Sequence, residues 1–192
     1  MKKQIRRSVF ETNSSSVHSI TIALTNSYED TINSLEDDVI GFHFGEFGWG
    51  YEEYDSVDNK ASYLWTGIVC SDYFTPEQIK QVKENIKNVL SKHGLSGYFE
   101  PYETCSYETS DGGTRVYCRP INYGYVDHAY CLYEWFDELF PNHGEDIDEE
   151  MLMRYLFNPE SYIQTGNDNS DGEIDSRHSD DNVETVTFWK GN

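Results

Sequence analysis

Long apolar runs are missing from this chain. No stretch approaches the roughly 20 apolar residues a membrane span requires, and the basic opening Lys2, Lys3, Arg6, Arg7 leads into Ser and Asn instead of an apolar signal core. A membrane protein and a secretory leader are therefore not expected, and the reading is a soluble, cytoplasmic protein. Cysteine is scarce and unpatterned. Cys70, Cys105, Cys118 and Cys131 contain no C-x-x-C pair and have no His at zinc spacing, which argues against a metal knuckle or a redox motif and for reduced, mostly buried thiols. No complete catalytic or cofactor motif is present, so no cofactor is expected and the balance lies against an enzyme. Strands and helices do not alternate as βαβ units, and no repeat is visible.

Positive charge is the other shortage. Fourteen Lys and Arg face 35 Asp and Glu, a formal net charge of -21, far beyond the magnitude of about 2 to 8 that keeps a small domain soluble. After Arg7 no cation appears until Lys60, while Glu29, Asp30, Glu36, Asp37, Asp38, Glu52, Glu53, Asp55 and Asp58 accumulate. A second cation-free block, Pro120 to Met153, carries Glu134, Asp137, Glu138, Glu145, Asp146, Asp148, Glu149 and Glu150. Such surfaces repel nucleic acid and attract proteins built to hold it, because duplex DNA presents about one charge per 1.7 Å of axis. A generic acidic, solvated surface is the bland alternative.

What is present suffices for a folded core. The 192 residues suit a single domain spanning 1–192, and 15% aromatic residues offset a hydrophobic fraction of only 37%. His18 to Leu24 alternates polar and apolar residues and reads as a half-buried strand; Val39 to Phe47 reads as a second. The aromatic-glycine run Phe44 to Tyr51 reads as a looped segment where backbone passes close to a ligand or, preferably, another strand. The clearest helix opens at Thr75 with Pro76 at its first position, carries the stripe Ile79, Val82, Ile86, Val89 and Leu90, and ends at Gly94. Further helices are expected over Ala61 to Cys70, Cys131 to Phe140 and Asp148 to Phe157. Strands are expected over Gly97 to Tyr102, Thr114 to Cys118, Ser161 to Thr165 and Val183 to Trp189, with a hairpin turn at Ser110-Asp111-Gly112-Gly113. The fold class is α+β: a compact domain with a mostly antiparallel sheet packed by three to four helices. Residues 166–182 read as an acidic mobile loop. Within it Asn167, Asn169, Asp171, Glu173 and Asp175 imitate a calcium loop, but Asn167 stands where Asp is usual and His178 where a bidentate Glu is usual, so no metal is assigned.

The densest chemistry lies in the first 19 residues. Arg6, Arg7, Glu11, Asn13, Ser14, Ser15, Ser16 and His18 combine cations, a carboxylate, an amide, hydroxyls and an imidazole. They can form self-satisfied Asx and Ser/Thr turns, or bind an anion such as a nucleotide through the cations and neutral donors, or supply a base. In an extended segment Ser14, Ser16 and His18 share a face but stand about 6 to 7 Å apart per two residues, too far for a direct Ser-His bond without a bend, so local catalysis is the least favoured.

The string Val9-Phe10-Glu11-Thr12-Asn13-Ser14-Ser15-Ser16-Val17-His18-Ser19 resembles an N-terminal signature of small proteins of bacteriophages and Gram-positive bacteria, with Tyr155 to Ile163 a second shared patch. The resemblance carries no activity. It implies a context: a phage-type protein in a bacterial cytoplasm, where small acidic proteins often inhibit host immunity by occupying a nucleic-acid channel. The preferred reading is accordingly an anti-CRISPR-like inhibitor that binds a nucleic-acid-directed host enzyme and does not itself bind nucleic acid. Its partner-facing candidates are Glu36, Asp37, Asp38, Glu52, Glu53, Asp55, Asp137 and Glu138, with Trp49, Tyr51 and Trp135 as aromatic anchors. The alternative is a nucleotide-binding protein or small nucleotide-processing enzyme built on the N-terminal cluster.

Overall fold

The strand after the N-terminal cluster organises the molecule. In the computed structural model, which describes residues 16–48, 50–127, 132–167 and 183–190, strand β1 (Ser16–Ala23) runs through a four-stranded antiparallel sheet in the order β10-β1-β9-β4. Its neighbours are β9 (Tyr162–Asn167) and β10 (Thr185–Lys190), and β4 (Glu52–Tyr54) forms the edge beyond β9. The alternation of Ile20 and Ile22 with Ser19 and Thr21 predicts a strand wet on one face. Instead β1 is buried along its whole length. Ile20 and Ile22 join the core, while the small hydroxyl residues of the other face remain compatible with burial because neighbours satisfy them: Thr21 Oγ1 bonds Thr187 Oγ1 at 3.1 Å across the β1/β10 pair.

Five α-helices lie among the described residues, in an α+β arrangement. Helix α2 (Val57–Cys70) begins four residues earlier than the sequence pattern suggests, because Ser56 caps it by accepting from the Asn59 amide. It is apolar nearly all round and serves as the central helix, burying Ala61, Tyr63, Leu64, Trp65, Ile68 and Val69. Helix α3 (Pro76–Lys92) follows the sequence reading closely. Thr75 and Gln78 form a reciprocal capping box, and Ile79, Val82, Ile86, Val89 and Leu90 are all buried, each contributing about 1.5–3 kcal/mol of apolar burial. At the far end Gly94 adopts φ +76, Leu95 N donates to Leu90 O, and Gly94 N donates to Ser91 O, which closes the last turn. Helix α4 (Tyr133–Leu139) is followed by a tight 3₁₀ turn, Pro141–Gly144, and helix α5 (Glu149–Phe157) is capped by Asp148 and stops before Pro159. A short helix α1 (Glu29–Asn33) precedes the acidic turn 36–38.

The stretch expected to be one strand from Val39 to Phe47 is two: β2 (Val39–Phe42) pairs in parallel with β5 (Ser96–Phe99), and β3 (Glu46–Phe47) with β8 (Tyr125–Val126). These small parallel pairs lie beside the main sheet, which is antiparallel as expected. They also supply the close neighbour of the glycine-rich run, which is a strand: Tyr125 N donates to Gly45 O at 2.9 Å. The hairpin β6 (Tyr102–Glu108) and β7 (Thr114–Pro120) turns at Gly112, φ +84. The proposed mobile acidic loop falls mostly outside the described residues, and its first two positions, Gly166 and Asn167, belong to β9.

Candidate functional site

Helix α2 meets the main sheet through a polar seam, which contains the part of the N-terminal cluster that is described. Lys60 and Tyr63 stand three residues apart on one face of α2. The Tyr63 hydroxyl lies 3.0 Å from His18 Nδ1 on β1. Lys60 Nζ donates to the carbonyl oxygens of Asn158 (3.0 Å) and Ser161 (2.9 Å), at the corner between α5 and β9. Tyr155 completes the join by donating its hydroxyl to Lys60 O at 2.7 Å. The Asn158 side chain reaches back to Thr25 O, and Ser161 Oγ accepts from Ala23 N, so the turn after β1 is tied to the same corner.

The seam therefore joins the described end of the N-terminal cluster to the strand that follows α5. That end, Ser16 to Ser19, pairs with β9, placing His18 opposite Thr165 and Ile20 opposite Ile163, and α2 pins both. His18 is 2% exposed, Tyr63 0%, Lys60 1% and Thr165 2%. A lysine, a tyrosine and a histidine in contact would suit proton transfer or carbonyl chemistry at an open surface. Here solvent does not reach them: Lys60 donates to two backbone carbonyls and Tyr63 meets His18, so the seam holds the sheet to the helix. Burial also pushes the Tyr155 phenol well above its ordinary range.

Of the expected ligand-binding residues, Ser16 and His18 are buried on β1, whereas Arg6, Arg7, Glu11, Asn13, Ser14 and Ser15 lie outside the described residues. The partner-facing acids are all exposed but do not form one cluster. Glu36, Asp37 and Asp38 occupy the turn before β2, where Ser96 N donates to Asp38 O and Asp37 Oδ1 accepts from Val39 N. This turn lies beside the C-terminal end of α3, which also meets the start of α5 through the Lys92–Glu149 ion pair. One acid of each cation-poor block is thus tied to the region of the C-terminal end of α3, Asp38 through Ser96 N and Glu149 through Lys92. Arg154 on α5 is taken up by Glu150 (2.5 Å) and Asn26 (2.9 Å). Elsewhere, Glu52 and Glu53 line the β4 edge, bonded to Tyr54 and Gln164, with Asp55 following; Asp137 receives the Tyr73 hydroxyl on α4, beside Glu138.

Trp135 corrects the sequence reading outright. It is fully buried, its ring stacked on Phe136 (5.5 Å) and tilted against Tyr155 (4.7 Å), so it is a core residue and not a partner anchor. Its position in a cation-free acidic block suggested a surface, but it lies on the inward side of an amphipathic helix. Tyr51 is 51% exposed, as an anchor requires, and Trp49 lies outside the described residues. The thiols are less buried than expected: Cys118 is buried, Cys70 and Cys105 are half-buried, and Cys131 lies outside the described residues. Burial, then the neighbouring Asp72 carboxylate, pushes the Cys70 thiol up to about 12, which makes it a poor nucleophile. Among the described residues no group of three or more His, Cys, Asp and Glu is placed to hold a metal ion, and no helix is long and apolar enough to cross a membrane. The calcium-like positions Asn169, Asp171, Glu173 and Asp175 lie outside the described residues, and Asn167 ends β9.

Lys60, Tyr63 and Asn158 are the residues the sequence reading missed. The one available signal was Lys60 itself, an isolated cation at the head of an otherwise apolar helix. Compared with known proteins, the chain matches no protein-family model, no curated protein and no solved structure.

Proposed function

We propose that this chain is a phage-type acidic binding protein of the bacterial cytoplasm that occupies the nucleic-acid-binding surface of a host defence enzyme, such as a CRISPR effector. The observation that carries the reading is the charge: -21 overall, with exposed acids of one cation-poor block in the turn that Ser96 holds just beyond α3, and Glu149 of the other block ion-paired to Lys92 at the end of that helix. A basic channel evolved for phosphates attracts such a surface at long range. Carboxylates in the channel then exclude nucleic acid by like-charge repulsion. Association on this basis is fast at low salt and weakens as the Debye length falls from about 30 Å at 0.01 M to about 8 Å at 0.15 M salt.

The burial of Ser16 and His18 supports this reading over a nucleotide site, which would have to be built without them. The test is inhibition of DNA cleavage by purified defence nucleases, a CRISPR effector first, using the protein and a charge-reversed variant (Glu36→Lys, Asp37→Lys, Asp38→Lys, Glu149→Lys, Glu150→Lys). Inhibition by the protein that is salt-sensitive and lost on reversal is the expected result. Reversal that leaves binding to every candidate partner unchanged removes the proposal.

A further inference from the structure

The β5 strand that follows α3, and the turn after β7, expose aromatic rings that the core does not need. Tyr98 on β5 points away from the buried Phe99 and is 51% exposed; Ile121, Tyr123 and Tyr125 in and after the turn that follows β7 are 54%, 68% and 38% exposed. A chain of contacts through Glu100 links Tyr98 to the turn that carries Tyr123. The His43 ring lies 5.5 Å from the Tyr98 ring, over Gly41, where a Cβ would come within 2.7 Å of it. His43 Nδ1 is 3.8 Å from Glu100 Oε2, and Glu100 also accepts from Phe44 N (2.9 Å) and Asn122 Nδ2 (3.2 Å). Asn122 thereby brings Tyr123 alongside, and Tyr123 and Tyr125 are in edge contact at 5.9 Å. Gly124 between them has no room for a side chain, since a Cβ would meet Phe44 Cβ at 2.7 Å, so the two rings are held outward by a packed backbone.

Scattered exposed aromatics need no explanation, but exposed tyrosines held on fixed backbone about one carboxylate are the composition of recognition surfaces. The chemistry of the occupant follows from charge. Glu100 sits within the patch and Glu46 pairs with Tyr125 at its rim, while the nearby Arg119 is bound to Glu103 at 2.7 Å. Burial first, then Tyr123, Glu46 and Asp127, raises the Tyr125 phenol. Phosphate-bearing bases would be repelled here; a guanidinium over a tyrosine face, beside a carboxylate, would be held.

We propose that the patch formed by Tyr98, Tyr123 and Tyr125 around Glu100 is a docking surface for arginine side chains of a basic protein partner. This rests on the acidic-inhibitor reading and names an anchor for it in place of Trp135. The experiment measures binding of fluorescein-labelled octa-arginine and octa-lysine to the full chain at 150 mM salt, by anisotropy. Tyr98→Ala/Tyr123→Ala, at unchanged net charge and with its fold checked by circular dichroism, is compared with the triple reversal Glu36→Lys/Asp37→Lys/Asp38→Lys. Expected is a preference for octa-arginine over octa-lysine, and a loss of about tenfold in octa-arginine affinity in the tyrosine variant with octa-lysine little changed. A tyrosine variant that binds octa-arginine as the parent does overturns the docking surface, as does tyrosine-dependent binding of a single-stranded oligothymidylate. If the acid reversal alone weakens both peptides, the acidic reading stands and only the patch falls. If octa-arginine does not bind at all, both fall.

Discussion

Replacing Lys60 by methionine tests whether the seam between α2 and the sheet is structural. Methionine preserves most of the length and apolar stem while removing the ammonium. Two carbonyls lose a donor, with unequal consequences. Asn158 O keeps the Ser161 amide at 3.1 Å, so it forfeits one bond, about 1 kcal/mol; Ser161 O loses a charged donor at 2.9 Å, and leaving a buried acceptor short costs about 1–3 kcal/mol. Against this, the substitution relieves the cost of holding an ammonium that is only 1% exposed, a term that can rival the gain from its partners. We expect the orphaned carbonyl to dominate, because the corner it belongs to also positions Asn158 against Thr25 and Ser161 against Ala23 and cannot relax alone. The expected net loss is about 2–4 kcal/mol, or roughly 4–16 °C in Tm for a chain of this size, read by urea unfolding and by thermal melts. Inhibition of a partner enzyme below the melt should be unchanged. A Lys60→Met protein as stable as the parent refutes the structural account. If it is also unable to inhibit, the seam belongs to the function.

Two further outcomes follow from particular residues. Gly144 combines φ +92 with a site where an added Cβ would stand 2.5 Å from Val82 Cγ2, directly after Asn142 and His143, both also at positive φ. Gly144→Ala should cost about 2–4 kcal/mol in denaturant unfolding, from left-handed strain plus overpacking; a loss below about 0.5 kcal/mol would contradict the packing described. The Cys70 thiol, pushed up to about 12 by burial and then Asp72, is held protonated in the folded state but titrates near 8.5 when unfolded. Its contribution to stability is therefore complete below about pH 8.5 and is lost as pH rises toward 12, so Cys70→Ser should flatten the fall in stability over that range. At pH 8 iodoacetamide should leave Cys70 unmodified in the folded protein; rapid labelling there would show that the thiol is not shielded.

Local signals were legible wherever chemistry and structure lie close together in the chain. Helix α3 is the clearest example, because Thr75, Pro76, Gln78, the apolar stripe and Gly94 act within a few residues of each other. The hairpin at Gly112 and the stop of α5 before Pro159 were readable for the same reason. The candidate site was not. His18 and Tyr63 are 45 positions apart, and Lys60 and Ser161 are 101 apart, so no window of sequence contains either contact.

By itself the sequence determined the α+β class, the excess of negative charge, the capped helix and the lack of any apolar run long enough for a membrane. Each of these depends on composition or on spacing within one element. Tertiary structure alone decided that the polar residues of β1 are buried, that Trp135 faces inward, and that Tyr123 and Tyr125 stand in edge contact on an exposed surface. Periodicity marks which residues share a face, but what covers that face depends on pairings that the fold, not the neighbouring residues, brings about.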